Sequence, residues 1–438
     1  MQVKSCSKRK HTLMKNDDTC YSQHLKILQE ELIPAMGCTE PIAIAYGASK
    51  ARAVLGELPQ KVDLQVTANL IKNSKSVVVP NTGGLKGIAA AAAAGIVAGD
   101  ADEGLQVLSQ VNPGQYNDIQ AYLGSDKIDV RPLDSEHTFD MIVTVYGATS
   151  KAMVQISRYH TNIVLITKDD EVLFKQGSSD VPVGANHTDR GCLSIESILD
   201  FAQSVEGADI QSLLERQITY NSQIADEGLK GNWGANIGAT LMQVWGEDVK
   251  TRAKARASAG SDARMSGCEL PVMIVTGSGN QGITVSVPVI EYAKELGVSH
   301  EKLLRALVVS NLVAVHLKSG IGWLSAYCGV VSAGAAAAAG IAWLHDADRE
   351  VINQTLINSL GSVSGIICDG AKPACASKIA ASVEAGILGF HMAKQGRHFK
   401  DGEGIVKGDI ESTIANVAKL GRDGMRETDK VIIDMMLD

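Results

Sequence analysis

The chain has 438 residues, 45% of them hydrophobic, with a formal net charge of −8; that is more than one ordinary domain and enough apolar side chain for a sizeable core. The acidic balance and an aromatic share of only 4% argue against a polyanion-binding or base-stacking surface, so nucleic acid is excluded as a partner. Eight cysteines in a chain this long are not a dense disulfide framework and read as cytosolic thiols or ligands.

Residues 1–20 are expected to be a mobile tail. Lys4, Lys8, Arg9, Lys10 and Lys15 stand there without an apolar stretch, so it is neither a signal peptide nor an anchor. Cys6 and Cys20 read as incidental thiols on it. Leu25, Leu28 and Leu32 recur at helical spacing until Pro34 and Gly37 end the helix. Thr39 is then the expected N-cap of a second helix over 42–55, with Glu40 and Pro41 in its first turn. That puts Cys38 beside a helix N-terminus, where the macrodipole favours a thiolate.

Residues 62–68 and 76–79 read as short strands. The turn from Pro80 to Gly87 leads into an Ala-rich helix over 88–97. Asn81, Thr82 and Gly83 in that turn offer backbone N–H groups to an anion, for which the carboxylate of a small amino acid is the expected occupant. A loop needing only flexible backbone fits the same residues. Strands alternate over 140–146, 153–158, 163–167 and 171–174, and helical periods follow at 195–205 and 210–218. Residues 125–205 are accordingly expected to form a small α/β domain inserted into a mainly helical one. Cys192, His137, His160 and His187 share no metal-ligand spacing and read as structural.

Residues 253–264 read as a helix with a polar face, and Cys268 has no evident partner. Gly277, Gly279 and Gly282 match the G-x-G-x-x-G pattern. The β-branched run after them, broken by Pro288, does not offer the immediate helix that a dinucleotide site needs. A backbone nest near the substrate, with Ser278 and Asn280, is the role retained. Residues 301–317 are helical, and His316 near their end reads as a satisfied core or capping histidine. Residues 319–344 carry no charge, yet they are rich in Ala, Gly and Ser with no second such segment; buried helices rather than a membrane span are expected, in a cytoplasmic protein. Two more helices are expected at 378–391 and 411–420.

Cys328 sits in the uncharged run, and Cys368 and Cys375 flank an Asp-Gly turn and Pro373. Three soft thiolates without a fourth suit iron–sulfur or zinc ligation with one position open. Inert buried thiols are the competing reading, since the fixed ferredoxin and zinc-finger spacings are absent.

Cys328 with the Gly/Ala run from Gly329 to Gly340, followed by Cys368-Asp369 and Cys375, resembles the alpha region of iron–sulfur-dependent L-serine dehydratases. The run Met36-Gly37-Cys38-Thr39-Glu40-Pro41 is similar to that of the L-cysteine desulfidase family, a branch of the same group. The likeness extends from about Leu25 to the C-terminus. It implies a [4Fe-4S] cluster on Cys328, Cys368 and Cys375, with one iron open to substrate and Cys38 as the base. It implies β-elimination of L-cysteine to sulfide, ammonia and pyruvate, a lyase reaction without net redox. The expected fold is α/β (α+β): an Ala/Gly-rich helical catalytic domain, residues 21–124 and 206–438, with the insertion at 125–205. L-serine dehydration at the same site is the nearest alternative. A pyridoxal-phosphate lyase using Lys372 or Lys378 and a non-catalytic protein binding an amino acid or metal are the others. A small-molecule substrate is the expected partner, with no membrane; homo-oligomerisation is left open.

Overall fold

The computed structural model describes residues 14, 18–176, 188–322 and 324–437; Cys6 and His187 lie outside them. Helix α1 (Thr19–Glu31) starts where Asp18 accepts from the Cys20 N–H, and it buries Ile27 and Leu28. Cys20, expected as an incidental thiol on a tail, is instead buried in this helix and disulfide-bonded. After the short strand β1 (Pro34–Met36) comes α2 (Thr39–Leu55), whose N-cap is Cys38 itself and whose end is marked by Gly56 at φ 89°. Ile42, Ala43, Ile44, Ala45 and Ala48 are all fully buried, because α2 is enclosed between helices and a sheet.

Strand β2 (Lys61–Val66), α3 (Ala68–Ser74), α4 (Ile88–Ala98) and α5 (Tyr116–Leu123) follow, then β3 (Ile128–Pro132), β4 (Asp140–Tyr146), β5 (Lys151–Ser157), β6 (Ile163–Lys168) and β7 (Glu171–Lys175). The strand expected at 76–79 is only a bridge between Val78 and Lys86. The six strands form one sheet in the order β3-β2-β4-β5-β6-β7. β2 runs parallel to β3 and antiparallel to β4. One face of β4 and β5, with Met141, Val143, Val145, Ala152, Val154 and Ile156, is fully buried and packs on α2.

This corrects the expected boundary at 125. β2 lies outside that segment in sequence but inside its sheet, because the apolar alternation of Val62, Leu64 and Val66 needs a paired strand on each edge. The boundary at 205 shifts too. Helix α6 (Ile195–Ser204) leaves the sheet and packs on the helix His300–Ser319 (α11) of the helical part.

That part continues with α7 (Gly207–Leu229), α8 (Ile237–Trp245), α9 (Val249–Met265), β8 (Pro271–Met273), α10 (Gly279–Leu296), α11 (His300–Ser319), α12 (Gly329–Leu344), α13 (Arg349–Val363), α14 (Cys375–Lys394), α15 (Ile410–Lys419) and α16 (Arg426–Leu437). β8 pairs antiparallel with β1, which ties the segment before the sheet to the helices after it. The β-branched run 283–287, read as not offering a helix after the glycine turn, is helical within α10, and Pro288 lies inside that helix. Tertiary packing overrides the local propensity: α10 is enclosed by α9, α11 and α12. The helix expected to be missing after this turn is therefore present from Gly279, but among the described residues the strand before it, β8, pairs only antiparallel with β1 and belongs to no parallel βαβ unit.

Helices α12 and α14 cross in backbone contact. A Cβ on Gly334 would come within 2.7 Å of the Ser382 carbonyl, and one on Gly386 within 2.7 Å of the Gly334 oxygen. Only glycine permits so close a crossing. Among the described residues no helix is long and apolar enough to cross a membrane.

Candidate functional site

Four helices direct their first turns at one cavity. Cys38 caps α2, Ser278 caps α10 and Cys328 caps α12, while Cys375 is the first residue of α14. All four line a cavity of about 100 Å³, together with Cys368, Glu40, His160, Arg264 and Lys318. Converging helix N-termini place partial positive charge around it, a setting for thiolates and anions.

Cys328 and Cys368 are brought together by backbone. Tyr327 and Ile367 form an antiparallel bridge; the Cys328 N–H donates to Ile366 O at 3.1 Å, and the Cys368 N–H to Ala326 O at 2.6 Å. The chain then turns at Gly370, φ +89°, where a Cβ would lie 2.4 Å from Lys72 O. This turn delivers Cys375 to the cavity. The Cys368 thiol, with burial, pushes the neighbouring Cys328 up, while the Cys328 thiol and the nearby Lys72 charge pull Cys368 down to about 6. Burial raises Cys375. Lys72 is buried, donating to Cys368 O at 3.4 Å and to Asp429 at 2.5 Å. Lys318 is also buried and feels both Cys368 and Cys328.

On the opposite wall, the Cys38 thiol donates to Glu40 Oε2 at 3.1 Å. Thr39 Oγ1 donates to the same oxygen at 3.0 Å, and Asn73 to Oε1 at 3.4 Å. His160 Nε2 stands 4.0 Å from Glu40 Oε1 with no hydrogen-bond partner among the described residues. Burial would raise Glu40, but His160 and Cys38 hold it down to about 2. Cys38 goes the other way: burial and the Glu40 charge push its thiol well up, against the pull of Arg264. The expectation of a thiolate at this helix N-terminus is therefore corrected. Full burial and a carboxylate in contact act against the dipole and favour the protonated thiol at Cys38.

The chain matches the serine dehydratase alpha chain family over residues 102–434. It belongs to that family. Full-length relatives carry the family name UPF0597. The protein of Desulfitobacterium hafniense (strain Y51) is 56% identical over 425 residues, covering 97% of this chain and 99% of its own. That of Lachnoclostridium phytofermentans is 49% identical, covering 95% and 100%, and that of Treponema denticola 43%, covering 97% and 100%.

Within this serine dehydratase alpha chain fold, Cys38, Cys328, Cys368, Cys375, Ser278 and Asn280 share the cavity. Asn81, Thr82 and Gly83 do not line it. The Asn81 amide donates to Leu108 O and the Thr82 hydroxyl to Val79 O, so both side chains are engaged by backbone carbonyls away from the cavity. His160, read as structural, does line the cavity, with Phe139 and Arg158, so the sheet supplies part of the site. Arg264, Lys72, Lys318, Asn73, Thr276 and Gln281 went unseen in the sequence. For Arg264 a signal existed: a charge in a run of Ala, Gly and Ser marks a buried helix rather than a polar face. Lys372 and Lys378 are both ion-paired with Asp369, and neither lines the cavity.

Among the described residues no three His, Cys, Asp or Glu side chains converge on a single metal-ion position. An iron–sulfur cluster makes no such demand, since its thiolates bind separate irons. The donor set fits one: three thiols line one buried cavity, and buried Lys72 and Lys318 stand beside them to offset negative charge.

Proposed function

We propose that this protein is an L-cysteine desulfidase, eliminating sulfide from L-cysteine to leave pyruvate and ammonia. The observation that carries the reading is one cavity shared by Cys38 with its Glu40 partner and by Cys328, Cys368 and Cys375. When bound on those three cysteines, a [4Fe-4S] cluster supplies Lewis acidity for the leaving group. The protein's own share is proton handling. Cys38 Sγ is the acceptor for the substrate's Cα proton, and Glu40 Oε2 is within reach of the thiol proton that Cys38 must first give up. A thiolate formed in so buried a place is a strong base, because the burial that opposes its formation also drives it to recapture a proton. The electrons of the Cα–H bond form the Cα=Cβ bond and those of Cβ–S leave with sulfur as hydrosulfide. The aminoacrylate then tautomerises and hydrolyses in water.

L-serine dehydration is the second reading, supported by the family description itself. Here hydroxide replaces hydrosulfide and the residue roles stay the same. Anaerobically prepared protein given each amino acid separates the two: sulfide with pyruvate from L-cysteine at a kcat/KM above that for L-serine supports the first. Pyruvate from L-serine alone refutes it. Serine at Cys328, Cys368 or Cys375 is expected to remove bound iron, whereas serine at Cys192 or Cys268 is not. A localisation in the cytoplasm and a homo-oligomeric assembly belong to the same proposal.

A further inference from the structure

The cavity contains a cation that proton transfer does not use. Arg264 lies in the last turn of α9 and is only 2% exposed. Its Nη1 donates to Asn280 Oδ1 at 3.1 Å. Nε and Nη2, the edge that grips a carboxylate at two points, have no hydrogen-bond partner among the described residues. The fold makes room for this arrangement, since a Cβ on Gly279 would fall 2.3 Å from Arg264 Nε and 2.7 Å from Cζ. A buried guanidinium with an open edge is costly unless a ligand completes it. Of the other cations nearby, Lys72 is engaged with Asp429 and Cys368 O, and Lys372 and Lys378 with Asp369, while Lys318 stands beside Cys368 and Cys328.

Two acceptors stand in the same cavity with nothing to accept from. Gln281 Oε1 and Thr276 Oγ1 are buried and unpartnered among the described residues. Thr276 is held at φ +48°, a rare conformation for a β-branched residue that the surrounding structure must enforce. A two-point donor edge with separate acceptors is the complement of a zwitterion.

We propose that Arg264 binds the substrate's α-carboxylate through Nε and Nη2, that Gln281 and Thr276 accept from its α-ammonium group, and that the site thereby selects free α-amino acids. This rests on reading the cavity as the substrate site of the elimination, but it does not depend on which leaving group departs. Asn280 is then a positioning residue, holding the guanidinium through Nη1.

The test uses the anaerobic holoprotein and calorimetric binding of amino acids that bear no thiol. Wild type is expected to bind L-alanine and L-serine roughly 10²-fold more tightly than ethylamine and ethanolamine, which lack the carboxylate. Arg264→Gln should lose that preference while keeping its iron, and Arg264→Lys should recover part of it. Gly279→Ala, which intrudes on the guanidinium, should repeat the loss if Arg264→Gln does not fold. Ethylamine binding as tightly as L-alanine overturns the proposal, as does a wild type that binds no α-amino acid, or an Arg264→Gln protein with unchanged L-alanine affinity. Selective amino-acid binding without sulfide release from L-cysteine would refute the desulfidase reading and leave the Arg264 role standing. Sulfide release by Arg264→Gln at the wild-type KM would do the reverse.

Discussion

Cys38 and Glu40 are two residues apart at the start of α2, and their side chains meet, Sγ to Oε2, at 3.1 Å. The contact holds a thiol and a carboxylate whose proton affinities are driven in opposite directions, Cys38 up and Glu40 down to about 2. A proton on Cys38 therefore has an acceptor in contact but leaves only under the demand of the reaction.

The first prediction concerns that thiol. Cys38→Ser and Cys38→Ala should lower turnover by roughly 10²–10⁴-fold, the range for losing a positioned general base. Iron content should stay at the wild-type level, because Cys38 is bonded to Glu40 rather than to the other three thiols. Solvent deuterium exchange at the substrate Cα, followed by NMR, should fall in parallel. Normal exchange in either variant would remove Cys38 from the mechanism.

Glu40→Gln separates two roles that push in opposite directions. Removing the carboxylate charge eases ionisation of Cys38, since that charge is one of the groups raising it. If Glu40 only perturbed its neighbour, turnover at neutral pH would rise. As the acceptor of the Cys38 proton its loss should instead cut kcat about 10²-fold or more, with KM little changed. A steady-state comparison at pH 7 decides between them.

The crossing of α12 and α14 should be equally sensitive. Gly334→Val puts a branched side chain where even a Cβ meets the Ser382 backbone at 2.7 Å. Overpacking of this kind costs about 1–3 kcal/mol. Because the first turns of these two helices carry Cys328 and Cys375, iron retention should fall along with Tm. A drop in Tm with full iron content would show that the crossing does not position the thiols.

Acid stability should depend on His24. Its ring is buried, with Nδ1 2.7 Å from Cys20 O and Nε2 3.1 Å from Ser197 Oγ, and burial lowers it from 6.5 to about 4. The unfolded chain takes up this proton first as pH falls. The stability contributed is therefore complete above about 6.5 and is lost as pH drops toward 4, to an extent of about 3 kcal/mol. Urea midpoints at pH 7 and pH 4.5 should converge for His24→Gln relative to wild type. An identical acid loss in both proteins would assign the effect elsewhere.

Much of this protein follows from local chemistry alone. The strand at 140–146 and the helices at 301–317, 378–391 and 411–420 were legible because apolar periodicity and turn residues act over a few positions. So was the role of Cys38 as a residue at a helix start, although the cap lies one residue before the expected Thr39. The four cysteines stood out by residue type and by the runs around them. What the sequence could not carry was set by contacts between distant segments. β2 joins the sheet of residues 128–175 only because its two edges need partners, and residues 283–287 become helix only because α9, α11 and α12 enclose them. His160, 120 positions from Glu40 in the chain, comes to 4.0 Å of its carboxylate through the packing of the sheet on α2. The ionisation of Cys38 reversed its expected direction for the same reason. A helix dipole is a local property, but burial and a neighbouring carboxylate are tertiary ones, and for a fully enclosed thiol they are the larger effects.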